Sequence, residues 1–220
     1  MEAASRARPS NLSLLISHGC NVNERNERHR TAFHYCLMNV LGSLDSDDIL
    51  QCMDILYANK ADINAIDTNG ASPLHVAISN ENVEAILWLL KHNCQLKQQT
   101  RAETLPGVLS SVITNKRITL TPLMLAIHLS NRRIVELLIN CGAECRNLGW
   151  LLVYCQGFKL LWEFLKECTS KPMPLQILCR TVIRRTVGQR IMELFENFDC
   201  LPLPSSVKRY ILIEEELRQA

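Results

Sequence analysis

One short segment recurs four times along the chain, and the distances between its copies restrict the fold to a stack of similar units. The copies are Gly19-Cys20-Asn21-Val22-Asn23, Lys60-Ala61-Asp62-Ile63-Asn64, Asn93-Cys94-Gln95-Leu96-Lys97 and Gly142-Ala143-Glu144-Cys145-Arg146. Each follows an apolar run with helical spacing: Leu12–Ser17, Ile49–Asn59, Val83–His92 and Ile134–Cys141. A second segment opens three of the units: Thr31-Ala32-Phe33-His34, Ser72-Pro73-Leu74-His75 and Thr121-Pro122-Leu123-Met124. Lys60 and Asn93 are 33 residues apart, Gly19 and Lys60 are 41 apart, and Asn93 and Gly142 are 49 apart. Gly19 to Thr31 equals Lys60 to Ser72, at 12 residues, and Ser72 to Asn93 equals Thr121 to Gly142, at 21. The two excesses are therefore local. Eight extra residues fall between two helices, around Gly42–Asp48, and sixteen fall between Lys97 and Leu120. A unit of this size cannot bury an apolar face alone, so it must stack on its neighbours.

Residue types agree with that mechanics. Ser72 and Thr121 can cap a helix, with Pro73 and Pro122 in its first turn. Gly70 suits a tight turn, and Gly19, Asn93 and Gly142 stand where a helix ends and positive φ is expected. Lys60 departs from that pattern and should cost stability. His34 and His75 are expected to satisfy local hydrogen bonds and not to act as ligands or bases. Trp88, within a helical run, is expected in the core. The segment Ser72-Pro73-Leu74-His75-Val76-Ala77 resembles the ankyrin signature Thr-Pro-Leu-His-x-Ala. The resemblance implies an all-α ankyrin-repeat solenoid of helix-turn-helix units joined by hairpin loops, over residues 1–170. Its units would cover 26–64, 67–97 and 117–146, with a partial unit at 11–23 and a terminal helical pair within 149–168. The run Leu12–Ser17 lacks a recognisable inner partner, so Met1–Ser10 would cap the stack poorly or the chain would be a piece of a longer one.

The periodicity stops at Lys171-Pro172-Met173-Pro174. Beyond it, Leu175, Cys179 and Ile183 form one helical stripe while Ile177, Leu178 and Val182 lie on other faces. A peripheral helix apolar on several sides is expected to meet a partner. Further on come Leu201-Pro202-Leu203-Pro204 and then Val207-Lys208-Arg209-Tyr210-Ile211. In this order the two segments resemble the SOCS box, a three-helix module placed here at 171–217. The resemblance implies that Pro174, Leu175, Cys179 and Ile183 bind elongin C, with Leu175 in an apolar pocket. It also implies that Leu201, Pro202, Leu203 and Pro204 select cullin-5. Burial of a leucine is worth roughly 1.5–3 kcal/mol, enough for an interface hot spot.

Composition limits the remaining options. A net charge of +2 gives no ground for nucleic acid or an anionic membrane as main partner. No stretch has signal-peptide or membrane-spanning character, so a cytoplasmic or nuclear location is expected. The ten cysteines contain no Cys-x-x-Cys pair, which disfavours a metal or redox protein and favours reduced, buried thiols. No nucleophile–base set, phosphate loop or metal motif is visible, and no cofactor is expected. The family resemblance implies a non-catalytic substrate receptor of an elongin B/C–cullin-5–RING ubiquitin ligase, whose ankyrin stack holds an unknown protein substrate. Candidate substrate contacts on hairpin tips and in the insertion are Arg28, Arg30, Asn69, Arg101, Lys116 and Arg117, which suit an acidic partner segment. The alternative is an ankyrin scaffold or inhibitor that recruits no ligase.

Overall fold

The computed structural model describes residues 1–38, 46–101 and 119–144, together with Glu163, Leu165, Lys166, Ile177, Leu178 and Val182. Helices α1 (Glu2–Ser5), α3 (Ala32–Leu37), α5 (Pro73–Ser79) and α7 (Pro122–His128) form an inner row. Each is followed by an antiparallel outer helix: α2 (Pro9–Ser17), α4 (Ser46–Ala58), α6 (Val83–Lys91) and α8 (Arg132–Asn140). Along the inner row α1 packs on α3, α3 on α5 and α5 on α7, while α2 packs on α4 and α4 on α6. This is the stack of units the spacing predicts and the ankyrin solenoid the resemblance implies.

The inner helices are six or seven residues long, except for α1, and α3, α5 and α7 each start at a Thr or Ser cap. Thr31 and Ser72 form capping boxes in which the hydroxyl meets the third helical residue's N–H and the histidine ring accepts from the cap's own N–H. At Thr121 the hydroxyl accepts from Met124 N–H. Such helices are too short to persist alone. They are held because nearly every side chain is buried, Pro73 through Ile78 in α5 for instance. The core is continuous from Ala4 through Phe33, Met53, Leu74, Ile78, Ile86, Leu89, Leu123 and Leu138.

Helix ends explain the unit spacing. Each outer helix closes on a left-handed residue: Gly19 at φ +85°, Lys60 at +65°, Asn93 at +58° and Gly142 at +90°. The next N–H reaches back five residues, as Cys20 does to Leu15 and Ala61 does to Leu56, so orphan carbonyls are satisfied. The corners between inner and outer helices use the same device at Glu81 and Ser130. There Asn82 and Asn131 then cap the outer helix, accepting from Ala85 and Ile134 N–H. Neither corner carries a glycine, so composition alone does not mark it.

Three expectations are refined. Met1–Ser10 is not merely a poor cap: α1 is the inner partner of α2, with Ala4 fully buried against its neighbours. Four residues are too few to show a helical period. The eight-residue excess around Gly42–Asp48 does not lie wholly in a loop. Ser46, Asp47 and Asp48 open α4, where two carboxylates favour the positive end of the helix. The long insertion has a paired stem. Strands β1 (Thr100–Arg101) and β2 (Thr119–Leu120) run antiparallel, with Thr100 opposite Leu120 and Arg101 opposite Thr119. The expected terminal pair within 149–168 falls largely outside the described residues. Of that segment Glu163, Leu165 and Lys166 are helical, and Leu165 is buried.

Candidate protein-interaction surface

The first two hairpin tips between units share one architecture. At Asp67 the backbone N–H donates to Ala71 O, and the Oδ1 atom accepts from Asn69 and Ala71 N–H at 2.8 and 2.9 Å. At Asn26, 41 residues earlier, the N–H donates to Arg30 O, and the side-chain oxygen accepts from Arg28 and Arg30 N–H at 3.0 and 2.9 Å. An acceptor at this position knits the turn from inside, which is why Asn or Asp stands there. Gly70, at φ +82°, lies against the backbone of Gln99, where a Cβ would collide with its carbonyl oxygen.

Neighbouring tips are joined. Thr68 N–H donates to Arg28 O at 3.0 Å, and Arg101 N–H donates to Asn69 O at 2.9 Å. The Arg30 Nε donates to Asp67 Oδ2 at 3.3 Å in an ion pair that is nearly buried on the carboxylate side. At the ends of the outer helices, also near solvent, Asn23 accepts from Asp62 N–H and donates to Lys60 O, and Asn64 accepts from Gln95 N–H. Arg28, Arg30, Asn69 and Arg101 are thus brought onto one continuous row of tips. Lys116 and Arg117 lie outside the described residues. The cross-tip pairing of Arg30 with Asp67 has no sequence signal, because it joins turns 37 residues apart.

His34 and His75 behave as expected of structural histidines. Each Nδ1 accepts from the capping residue's N–H at 3.2 Å, and each Nε2 donates to a carbonyl of the next unit, Ala71 at 3.0 Å and Leu120 at 3.2 Å. Burial is the main cause that lowers both pKa values, that of His75 to about 4. Trp88 is not simply core. Its ring lies 5.9 Å from Phe33 and 5.7 Å from Tyr57, and it stacks on His92 at 3.7 Å. Its N–H reaches Asp54 Oδ1 at 2.8 Å near solvent. An indole has an apolar body and one polar edge, so it settles at the margin of the outer layer.

Cys36, Cys52, Cys94 and Cys141 are free and buried, and Cys20 is free and exposed. Among the described residues no group of three or more His, Cys, Asp or Glu is disposed to hold a metal. None of the described helices is long and apolar enough to cross a membrane. The expected elongin contacts Pro174, Leu175, Cys179 and Ile183 and cullin contacts Leu201, Pro202, Leu203 and Pro204 lie outside the described residues. Within that stretch Ile177, Leu178 and Val182 are helical, and Leu178 and Val182 are exposed at 45% and 59%.

Two family models match the chain. A family model described as ankyrin repeats (3 copies) matches residues 1–100 and 45–148, and a SOCS box model matches residues 171–212. The chain is 33% identical over 69 residues to target of rapamycin complex 2 subunit AVO2 of Saccharomyces cerevisiae, covering 31% of this chain and 14% of that protein. It is 32% identical over 109 residues to the I-Kappa-B like protein C2 of Microplitis demolitor bracovirus, covering 49% of this chain and 52% of that protein. The chain therefore spans about half or less of the length of these relatives.

Proposed function

The chain belongs to the ankyrin-repeat proteins that carry a SOCS box, and from that premise we propose that it is the substrate-recognition subunit of an elongin–cullin–RING ubiquitin ligase. The observation that carries this reading is the order of the two modules. An ankyrin match ending at 148 is followed by a SOCS box match at 171–212. The repeats hold a protein substrate on the joined hairpin tips. The SOCS box engages elongin C through Pro174, Leu175, Cys179 and Ile183, and cullin-5 through Leu201, Pro202, Leu203 and Pro204. Cullin-5 is chosen over other cullins on the Leu-Pro-Leu-Pro sequence.

The chain itself transfers nothing in this scheme. It raises the effective concentration of a substrate lysine near the ubiquitin thioester held by the ligase's catalytic subunits. The substrate is thereby ubiquitinated and passed to the proteasome. A reducing, cytoplasmic setting suits the five free thiols among the described residues.

The test is co-expression with elongins B and C and a pull-down with cullin-5. Wild type is expected to retain all three. Leu175→Ala/Cys179→Ala is expected to lose elongin, and Pro202→Ala/Pro204→Ala to lose mainly cullin. A folded wild-type chain that binds neither elongin nor cullin would reduce the protein to an ankyrin scaffold.

A further inference from the structure

The tip formed by Asn26–Arg30 differs from the next one in a way that changes its chemistry. Both tips spend one side-chain oxygen on two backbone N–H groups. At Asp67 the remaining atom is a second acceptor, occupied by Arg30. At Asn26 the remaining atom is an amide nitrogen, which donates to the Tyr35 hydroxyl at 2.7 Å. The orientation of that amide is fixed, because its oxygen is already committed to Arg28 and Arg30 N–H. Tyr35 therefore accepts from Asn26 and keeps its own O–H to donate. In the next unit the residue 41 positions after Tyr35 is Val76, which has no hydroxyl.

Tyr35 does not face empty solvent. It lies in an open cleft of about 530 Å³ with Arg25, Arg28 and Arg30. Arg25 and Arg28 are exposed and make no ion pair among the described residues. Arg30 is held in place through Nε by Asp67 and through Nη1 by Met38 Sδ. Among the described residues Glu27 is the one acidic side chain in the lining. The cleft thus converges three guanidinium groups and one hydroxyl proton, all donors. A ligand that matches it must supply acceptors and negative charge.

We propose that this cleft is an oxyanion site that takes an acidic side chain, a carboxylate or a phosphate ester, from the protein segment held on the hairpin tips. Asn26 is the positioning residue, since it aims the tyrosine hydroxyl. Arg25 and Arg28 supply the charge, and Arg30 supplies a prealigned guanidinium. The proposal rests on the reading of the tips as the substrate face, but not on the recruitment of a ligase.

The experiment uses the full chain, captured by its own tag, with elongins B and C added so that bound elongin is measured in the same wells. The probes are fluorescent 12-residue peptides with degenerate flanks and a fixed centre of two glutamates, one phosphoserine or two glutamines. A single-stranded oligonucleotide serves as a fourth probe. Glutamate or phosphoserine peptides are expected to bind at least about tenfold tighter than glutamine peptides, and whichever binds identifies the natural oxyanion. Tyr35→Phe is expected to weaken that binding about tenfold, the worth of one hydrogen bond to a charged group, with the chain still folded and elongin retention unchanged. Glu27→Gln is expected to strengthen it. If Tyr35→Phe does not fold, Arg28→Ala, at an exposed tip, carries the same expectation of weakening. Equal binding of glutamine and acidic centres, no binding of any peptide, preference for the oligonucleotide, or wild-type affinity in the folded variants would overturn the proposal. Loss of elongin with acidic binding intact would instead overturn the ligase reading alone.

Discussion

His75 Nε2 donates to the carbonyl oxygen of Leu120 at 3.2 Å, so one imidazole ties the inner helix of its unit to the chain on the far side of the insertion. His34 makes the equivalent bond to Ala71 at 3.0 Å. In both rings Nδ1 is an acceptor, which is possible only for neutral imidazole protonated on Nε2. Each ring thus closes a capping box and bridges two units at once.

Stability should fall as the pH is lowered. The unfolded chain takes up a proton near pH 6.5, whereas buried His75 resists protonation until about pH 4. The stabilisation is complete above 6.5 and is lost progressively as pH falls from 6.5 toward 4. By pH 5 His75 alone should account for roughly 2 kcal/mol. His34, His92 and His128 are lowered by burial too and act in the same direction. Urea midpoints at pH 7.5 and 5 measure the effect, and His75→Gln should flatten the slope while lowering the stability at pH 7.5.

Two glycines with similar backbone angles should respond differently to alanine. Gly19 at φ +85° has nothing within 4 Å of a built Cβ, so Gly19→Ala meets only the left-handed penalty of about 1 kcal/mol. Gly70→Ala adds a collision with the Gln99 carbonyl oxygen and should cost about 3 kcal/mol. Equal melting points for the two variants would show that the tip at Gly70 can yield.

Lys60 holds φ +65° at a helix end where Gly19 and Gly142 hold similar angles. Lys60→Gly should therefore raise stability by roughly 0.5–1 kcal/mol, since the left-handed strain exceeds the added chain entropy of glycine. Denaturant midpoints decide the sign.

Arg30→Ala removes the only ion-pair partner of Asp67 among the described residues, and the Asp67 side chain is just 2% exposed. Asp67 retains two N–H donors on Oδ1, so the loss should be about 1–3 kcal/mol. Adding Asp67→Asn should recover part of it, because the neutral amide no longer leaves a buried charge unpaired. A double-mutant cycle read by urea unfolding gives the coupling.

Most of the repeat architecture was legible because it is written in spacing and in caps. Ser72, Thr121, Pro73 and Pro122 marked the inner helices, and Gly19, Asn93 and Gly142 marked the outer helix ends. Glu81 and Ser130 were not legible, since their left-handed geometry is imposed by the packed helices on either side and not by their own preference. Helix α1 escaped for lack of length, and Trp88 packs against the core as expected while its N–H still reaches Asp54 near solvent. The candidate surface was read only in part. Arg28 and Arg30 were singled out as basic residues on a hairpin tip. The role of Asn26 and Tyr35 depends on which atoms of an amide are already occupied, and that is visible only in three dimensions.

The pairing of Thr100 with Leu120 has an evolutionary consequence. It clamps both ends of the insertion side by side, so the pitch of the stack does not depend on what lies between them. Lengthening a segment closed in this way costs only about 0.6 kcal/mol per doubling. The stem is a port through which sequence can be exchanged, while the units on either side keep their contacts. Selection can then remodel what this unit displays without renegotiating how the array folds.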